Sequence, residues 1–273
     1  MPATPIQKGS YMLPVSLHSK DEIAAFLRQK PWLHIYHLGD LGEFFWPYTV
    51  WYASKSGGDI EQLVLLYTGL DDSVLLAVSD DIPAMHDLLR SIMHLLPRRI
   101  YSHLSEGVPE IFAQHYHLDD HGPHYKMLLK DRTRLENIDT SEVVPVSPAD
   151  RAGIEHLFEV SYPGNWFDPR MLETGCYYGI QRGGQWLTVA GVHVYSPEQR
   201  VAALGNITTH PDFRGQGLAK ATSTKLCLEL ARTTDIIGLN VKADNATAIA
   251  CYEGLGFEKV ANYGEYMLEL KST

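Results

Sequence analysis

One short segment, Arg214-Gly215-Gln216-Gly217-Leu218-Ala219-Lys220, constrains this chain more than any other. It stands between an apolar strand pattern at 201–209 and a helical pattern running from 218 to about 233. The first amides of a helix lack intrahelical acceptors and carry the positive end of its dipole. Glycines at that entry let the backbone take positive φ and come close to a bulky anion. With Arg214 and Lys220 adding cations, the segment reads as a pyrophosphate cradle. The chain has 33 acidic against 23 basic residues, a net charge of −10. An anionic ligand must therefore be held by local amides against the overall field. The same excess, shared by both halves, excludes the electrostatic footprint of a nucleic-acid binder.

Two other readings compete for the segment. One is a strand-to-helix turn that merely uses glycine. The other is a dinucleotide fingerprint, with Gly215 and Gly217 as its first glycines and Asp235 downstream. Against the latter, Lys220 occupies the third glycine position, and the elements before the cradle read as antiparallel hairpins rather than βαβ units.

Along the chain, Ser19 and Glu22 mark the start of a helix over 19–29. Strands are expected at 48–54, 62–68 and 73–79, a helix at 81–95, and strands at 99–103 and 124–130. The polar stretch 131–142 reads as a linker. A second series follows: a strand at 143–146, a helix over about 149–160, and a hairpin of 177–182 with 186–195 around Gly183-Gly184. After the cradle come a strand at 236–242, a helix at 246–253, and strands near 257–260 and 264–270. The two series share an element order without a residue-level repeat. The expected organisation is an N-terminal domain, 1–135, and a C-terminal domain, 136–273, both mixed α/β.

A second motif follows the cradle: Asn245-Ala246-Thr247-Ala248-Ile249-Ala250-Cys251-Tyr252-Glu253-Gly254-Leu255-Gly256-Phe257. Together with His210-Pro211-Asp212-Phe213 and the cradle, it closely resembles the GNAT superfamily of acyl-CoA-dependent N-acetyltransferases. That family's pattern, Asn-x-x-Ala-x-x-x-Tyr-x-x-x-Gly-Phe, is matched at every named position. The resemblance covers about 143–270. The two-half arrangement also looks like the glycine N-acyltransferase-like subgroup. It implies a GNAT fold in the C-terminal half and a degenerate GNAT-like N-terminal half.

The resemblance implies acetyl-CoA as cosubstrate. Ile207, Thr208 and Thr209 would offer backbone groups to the acyl and pantetheine portions. Arg214, Gly215, Gln216, Gly217, Leu218, Ala219 and Lys220 would wrap the pyrophosphate. Asn245 would contact the coenzyme arm. Tyr252 would be the catalytic acid; at seven residues from Asn245 it lies two helical turns away on the same face. Many family members carry a glutamate base five residues before the motif asparagine. This chain has Asn240 there, so another group, with His193 as a candidate, must take the amine's proton. The N-terminal counterpart of the cradle, Val78-Ser79-Asp80-Asp81-Ile82, sets two carboxylates where a pyrophosphate would sit. That half is expected to brace the active half and wall the acceptor site.

The function these features predict is transfer of an acetyl group to a primary amine of a small molecule or peptide. The alternative is a non-catalytic acyl-CoA sensor or interaction module. Tyr252 argues against it and Asn240 keeps it alive. Acceptor contacts are expected from the loop at about 162–175. His115, His117, His121 and His124 crowd together with Asp119 and Asp120, but their spacing fits no zinc motif, so a polar turn is expected and no metal is invoked. The segment 1–15 lacks a signal-peptide core and no apolar run would span a bilayer. Three cysteines form no paired framework. A cytoplasmic location without a membrane partner is expected. Acceptor identity and oligomeric state stay open.

Overall fold

The computed structural model describes residues 13–272, so most of the N-terminal stretch considered for export lies outside the described residues. The strands are β1 (Val15–Leu17), β2 (Thr49–Ser56), β3 (Asp59–Tyr67), β4 (Ser73–Ala77), β5 (Arg99–Leu104), β6 (Tyr116–Leu129), β7 (Val144–Pro145), β8 (Tyr178–Arg182), β9 (Gln185–Ser196), β10 (Val201–Thr209), β11 (Ile236–Lys242) and β12 (Phe257–Leu270). The helices are α1 (Lys20–Leu27), α2 (Ile35–Gly39), α3 (Ile82–Ile92), α4 (Arg151–Ser161), α5 (Leu218–Leu230) and α6 (Ala246–Gly254).

All twelve strands join one sheet in the order β1-β2-β3-β4-β5-β12-β6-β11-β10-β9-β8-β7. Read from either edge inward, the order repeats with an offset of six strands. Only β4 with β5 and β10 with β11 run parallel. Each parallel pair is joined through a helix, α3 or α5, because a parallel return needs a crossover. The central pair is exchanged. From the first half, β6 pairs with β11 of the second, through Gly238↔Leu128 to Lys242↔His124. From the second half, β12 pairs with β5 of the first, through Gly264↔Leu104 to Glu269↔Arg99. The two strands also pair with each other over nearly their whole length.

This exchange explains where local reading went astray. Strands near 257–260 and 264–270 form one strand, because partners on both sides carry the backbone through bulges at Lys259/Ala261 and Glu265/Tyr266. The histidine-rich segment, expected as a turn, is strand from Tyr116 onward for the same reason. The five-residue α2 was not anticipated; IYHLG is too short to show a helical period.

Helix starts follow their caps. Ser19 Oγ accepts from Glu22 N at 3.3 Å, and Asp81 Oδ1 accepts from Ala84 N at 3.0 Å. A single apolar cluster spans both halves, from Ile23 and Trp51 to Leu204, Leu226 and Phe257. Helix α2 belongs to the first half but packs on the second. A Cβ on Gly39 would stand 2.6 Å from Val194 Cβ, and one on Gly238 would stand 2.4 Å from Ile35 Cδ1. No helix among the described residues is long and apolar enough to cross a membrane.

Candidate active site

Strands β10 and β11 pair only from Val201↔Ile236 to Leu204↔Leu239. Beyond Leu204, β10 continues to Thr209 without that neighbour, so the sheet opens. Two facing irregularities on β9 and β10 mark the spot. His193 is skipped between Ala203↔Val194 and Leu204↔Val192. Asn206 and Ile207 then oppose Ala190 between Gly205↔Gly191 and Thr208↔Val189. Bulges of this kind re-aim side chains and end pairing.

Asn206 has φ 54°, a left-handed conformation that asparagine tolerates better than most residues. Its buried side chain is locked in place. Asn165 Nδ2 donates to Asn206 Oδ1 at 2.9 Å, Asn206 Nδ2 donates to Tyr177 Oη at 2.8 Å, and Tyr177 Oη donates to Val192 O at 3.0 Å. Ile207, Thr208 and Thr209 thus line the open edge. Two of their carbonyls already accept side-chain donors: Thr208 O from Thr188 Oγ1 at 2.9 Å, and Thr209 O from Arg214 Nε at 3.2 Å.

The cradle follows directly. Gly215 and Gly217 have φ of 76° and 77°, and a Cβ on either would meet nothing within 4 Å. They are glycines for conformation, and the space beside them is open. Ala221 N donates to Gly217 O at 3.0 Å, while the amides of Gly215 through Lys220 have no acceptor among the described residues. Leu218 is buried against Val143 and Ile180 and anchors the helix start; Gln216 and Lys220 are exposed and Ala219 is half-buried. These residues fit an anionic pyrophosphate. Arg214, at the entry to the cradle, also braces the loop: besides Thr209 O, its guanidinium donates to Ser161 O at 3.1 Å. Asn245 caps α6, accepting from Ala248 N at 3.1 Å. In the first half, the equivalent turn is closed: Asp80 pairs with Lys30 and Asp81 caps α3.

On the α2 face, a polar stripe crosses the opening. Tyr36 Oη lies 3.3 Å from His193 Nδ1. Burial lowers the pKa of His193, against Asn206 and Glu265, so the ring is neutral and able to accept a proton. Trp166 meets it edge-on at 5.7 Å between centroids, and the neighbouring Tyr162 is exposed. This is the loop expected to contact the acceptor. Asn240 is half-buried and lies directly across from Lys126. Further along, Glu265 accepts from Tyr101 and, at 2.6 Å, from Tyr263. His103 and His124 each approach it at 3.5 Å. Burial opposes the Glu265 charge, but the two histidines and two hydroxyls outweigh it and hold the carboxyl down to about 2. The histidine-rich segment is therefore divided: His124 joins the stripe, while His115, His117 and His121 face solvent.

Tyr252 sits half-buried on α6, its ring 6.0 Å from Phe257. Burial pushes its phenol well above the ordinary value, with Cys251 and Tyr162 adding to the effect, so it stays protonated. Sequence reasoning missed Tyr36, Lys126, Asn206 and Glu265. Only the glycine preceding Asn206 hinted at an irregular strand.

Residues 147–257 match the acetyltransferase (GNAT) family. This chain carries a GNAT domain. The match takes in the open edge, the cradle and α6. Among curated relatives, the Beutenbergia cavernae mycothiol acetyltransferase is 30% identical over 102 residues, covering 37% of this chain and 33% of that protein. The ribosomal protein bS18-alanine N-acetyltransferase of Escherichia coli is 46% identical over 59 residues, 21% of this chain and 40% of that one. The chain thus spans only about a third to two fifths of the length of these relatives. A tandem GNAT protein from the clavulanic acid biosynthesis pathway superposes with a TM-score of 0.56 at 13% identity, covering 95% of this chain and 99% of its own. That likeness is one of fold, and it extends the GNAT-like architecture over both halves. These relationships concern the superfamily rather than the glycine N-acyltransferase-like subgroup.

Proposed function

We propose that the protein is an acetyl-CoA-dependent N-acetyltransferase acting on a primary amine of a small molecule or peptide. The observation that carries this reading is the parting of β10 from β11 after Leu204, beside a cradle whose amides are unpaired among the described residues. The C-terminal half, 136–273, holds the coenzyme and the chemistry. The N-terminal half, 1–135, walls the acceptor side through α2. The reading invokes no metal, and three free cysteines suit a reducing cytoplasm.

The coenzyme supplies an activated thioester. Amides from Gly215 to Lys220 offset its pyrophosphate charge. Backbone donors at the Asn206-Ile207 bulge polarise the carbonyl as charge develops on oxygen. Neutral His193, steadied by Tyr36, accepts the proton of the attacking amine in place of the carboxylate that Asn240 lacks. Protonated Tyr252 gives its proton to the departing thiolate; a raised pKa suits a group that must hold its proton until then.

The test is thiol release from acetyl-CoA across a panel of primary amines, with coenzyme binding followed by calorimetry. Amine-dependent release is expected. Binding without release on any amine would overturn the catalytic reading and favour an acyl-CoA sensor.

A further inference from the structure

The buried stripe contains a primary amine of the chain's own. Lys126 is 5% exposed, and its Nζ takes part in no hydrogen bond or ion pair among the described residues. It lies over two aromatic faces instead, 5.3 Å from the Tyr36 ring centroid and 4.7 Å from that of Tyr263. Such contacts return only part of what an ammonium loses on leaving water. Burial accordingly pushes the amine down to about 8, and the Glu265 charge offsets only part of the effect. At pH 7 about one copy in ten then carries a free amine, against fewer than about one in a thousand for an ordinary lysine. Around it stand His34, Tyr36 and His37 at α2, His103 of β5, His124 of β6, and Tyr263 with Glu265 of β12. Burial keeps His34, His37 and His103 neutral, so these three neither pair with the amine nor repel it.

Register sets where this amine lies. Lys126 on β6 is opposite Asn240 on β11, the first residue past the last β10–β11 pair, Leu204↔Leu239. Residues directly opposite in an antiparallel pair share a face of the sheet. Lys126 therefore stands at the level where the sheet opens, beside the Gly205-Asn206 irregularity of β10. At the usual strand spacing, a carbonyl held midway between β10 and β11 is about 7 Å from β6. An extended lysine stem closes that gap to the separation of about 3–3.5 Å from which atoms react. Tyr36 joins the amine to the proposed base: its ring lies under Lys126 Nζ and its hydroxyl meets His193.

We propose that Lys126 is a self-acetylation site, its Nζ taking the acetyl group from the coenzyme bound to the same chain when no external amine is present. This rests on the acetyltransferase reading above. The free amine attacks the thioester carbonyl carbon; a C–N bond forms and the C–S bond breaks. The nitrogen passes one proton to His193, and Tyr252 gives one to the departing thiolate. The products are N-acetyl-lysine and coenzyme A, and no further reactant is consumed. The modified side chain carries no charge, so the cost of burying an ammonium is removed with it.

The experiment incubates the wild type with saturating acetyl-CoA and no amine, and follows acetylation of each lysine by peptide mass spectrometry. Lys126 should be modified at least about tenfold faster than the exposed Lys242 and Lys259, because it is held beside the thioester. Its first-order rate should not change with protein concentration, since donor and acceptor share a chain. Excess coenzyme A should slow modification of Lys126 alone. The rate should rise with pH to about 8 and then level off. Modification no faster than at Lys242 and Lys259, a rate that grows with protein concentration, or indifference to coenzyme A overturns the proposal. A rate still climbing near pH 10, as for an ordinary lysine, overturns it too. Thiol release on the amine panel is measured alongside. Turnover of an amine with Lys126 unmodified overturns self-acetylation and leaves the acetyltransferase reading intact. Modification of Lys126 by these criteria, without turnover of any amine, upholds self-acetylation and overturns transfer to an external acceptor. Neither turnover nor modification overturns both.

Discussion

The His193 ring occupies the space that a side chain on Gly205 would need: a Cβ there would stand 2.1 Å from His193 Cδ2. The glycine on β10 thus lets the proposed base lie flat across the strand that stops pairing one residue earlier. Gly205→Ala is expected to swing the imidazole away from Tyr36. Displacing a reacting group by about 1 Å can cost on the order of 100-fold in rate. Measured kcat should fall by about that factor while coenzyme affinity holds. An unchanged kcat would remove His193 from the mechanism.

Gly217→Glu places a carboxylate at the cradle, next to where pyrophosphate charge must settle. Coenzyme affinity should drop about 100-fold, roughly 2.7 kcal/mol. Left-handed backbone alone costs a non-glycine residue roughly 1–2 kcal/mol, so Gly217→Ala serves as the control for strain. Calorimetry on both separates charge from conformation. Equal affinity in the wild type and the glutamate variant would move the coenzyme elsewhere. A single binding event per chain is expected, because Asp80 and Asp81 fill the matching turn of the first half.

Tyr252→Phe should lower kcat by about 10²–10⁴-fold, the usual worth of general acid catalysis. The coenzyme dissociation constant should change little, because the hydroxyl matters only as sulfur gains charge. Raising pH should not rescue the variant, since the missing group is an acid. Equal kcat values for the two proteins would retire Tyr252 as the proton donor.

Glu265 ties folding stability to acid. Its folded pKa lies below the ordinary 4.5, at about 2. The contribution is therefore complete above pH 4.5 and lost as pH falls from there towards 2. At 1.36 kcal/mol for each pH unit of displacement, the amount is about 3 kcal/mol. Burial holds His103 down to about 4, so the carboxylate is isolated below that value: thermal unfolding from pH 4 down to pH 2 should show a steeper decline for the wild type than for Glu265→Gln. Parallel curves would show that the carboxylate is not held as the geometry implies.

What the sequence made legible was local. The cradle could be read because a glycine turn, its cations and its helix lie within seven consecutive residues. Asn245 and Tyr252 could be read because one helix fixes their spacing. Asn206 could not, since a bulge belongs to two strands at once and its left-handed turn depends on Tyr177 and Asn165. Lys126 and Glu265 were hidden more deeply. The exchange of β6 and β12 brings Tyr263 to Lys126, and Tyr101, His103 and His124 to Glu265, each from more than a hundred positions away. Of the crowded histidines, His124 found a partner in the buried stripe because it lies opposite Tyr263, beside Glu265, whereas His121 falls at the bulge and His117 lies further along the strand, where that face is exposed.

The exchange also sets a timetable for synthesis. Strand β5 finds its inner neighbour only in β12, which begins 153 residues after Leu104. At about 5–20 residues per second, the ribosome leaves that edge bare for on the order of ten to thirty seconds. An open strand edge invites pairing with any extended chain nearby. The nascent first half therefore emerges with a vulnerability that its own sequence cannot relieve, and that the last strand of the sheet repairs.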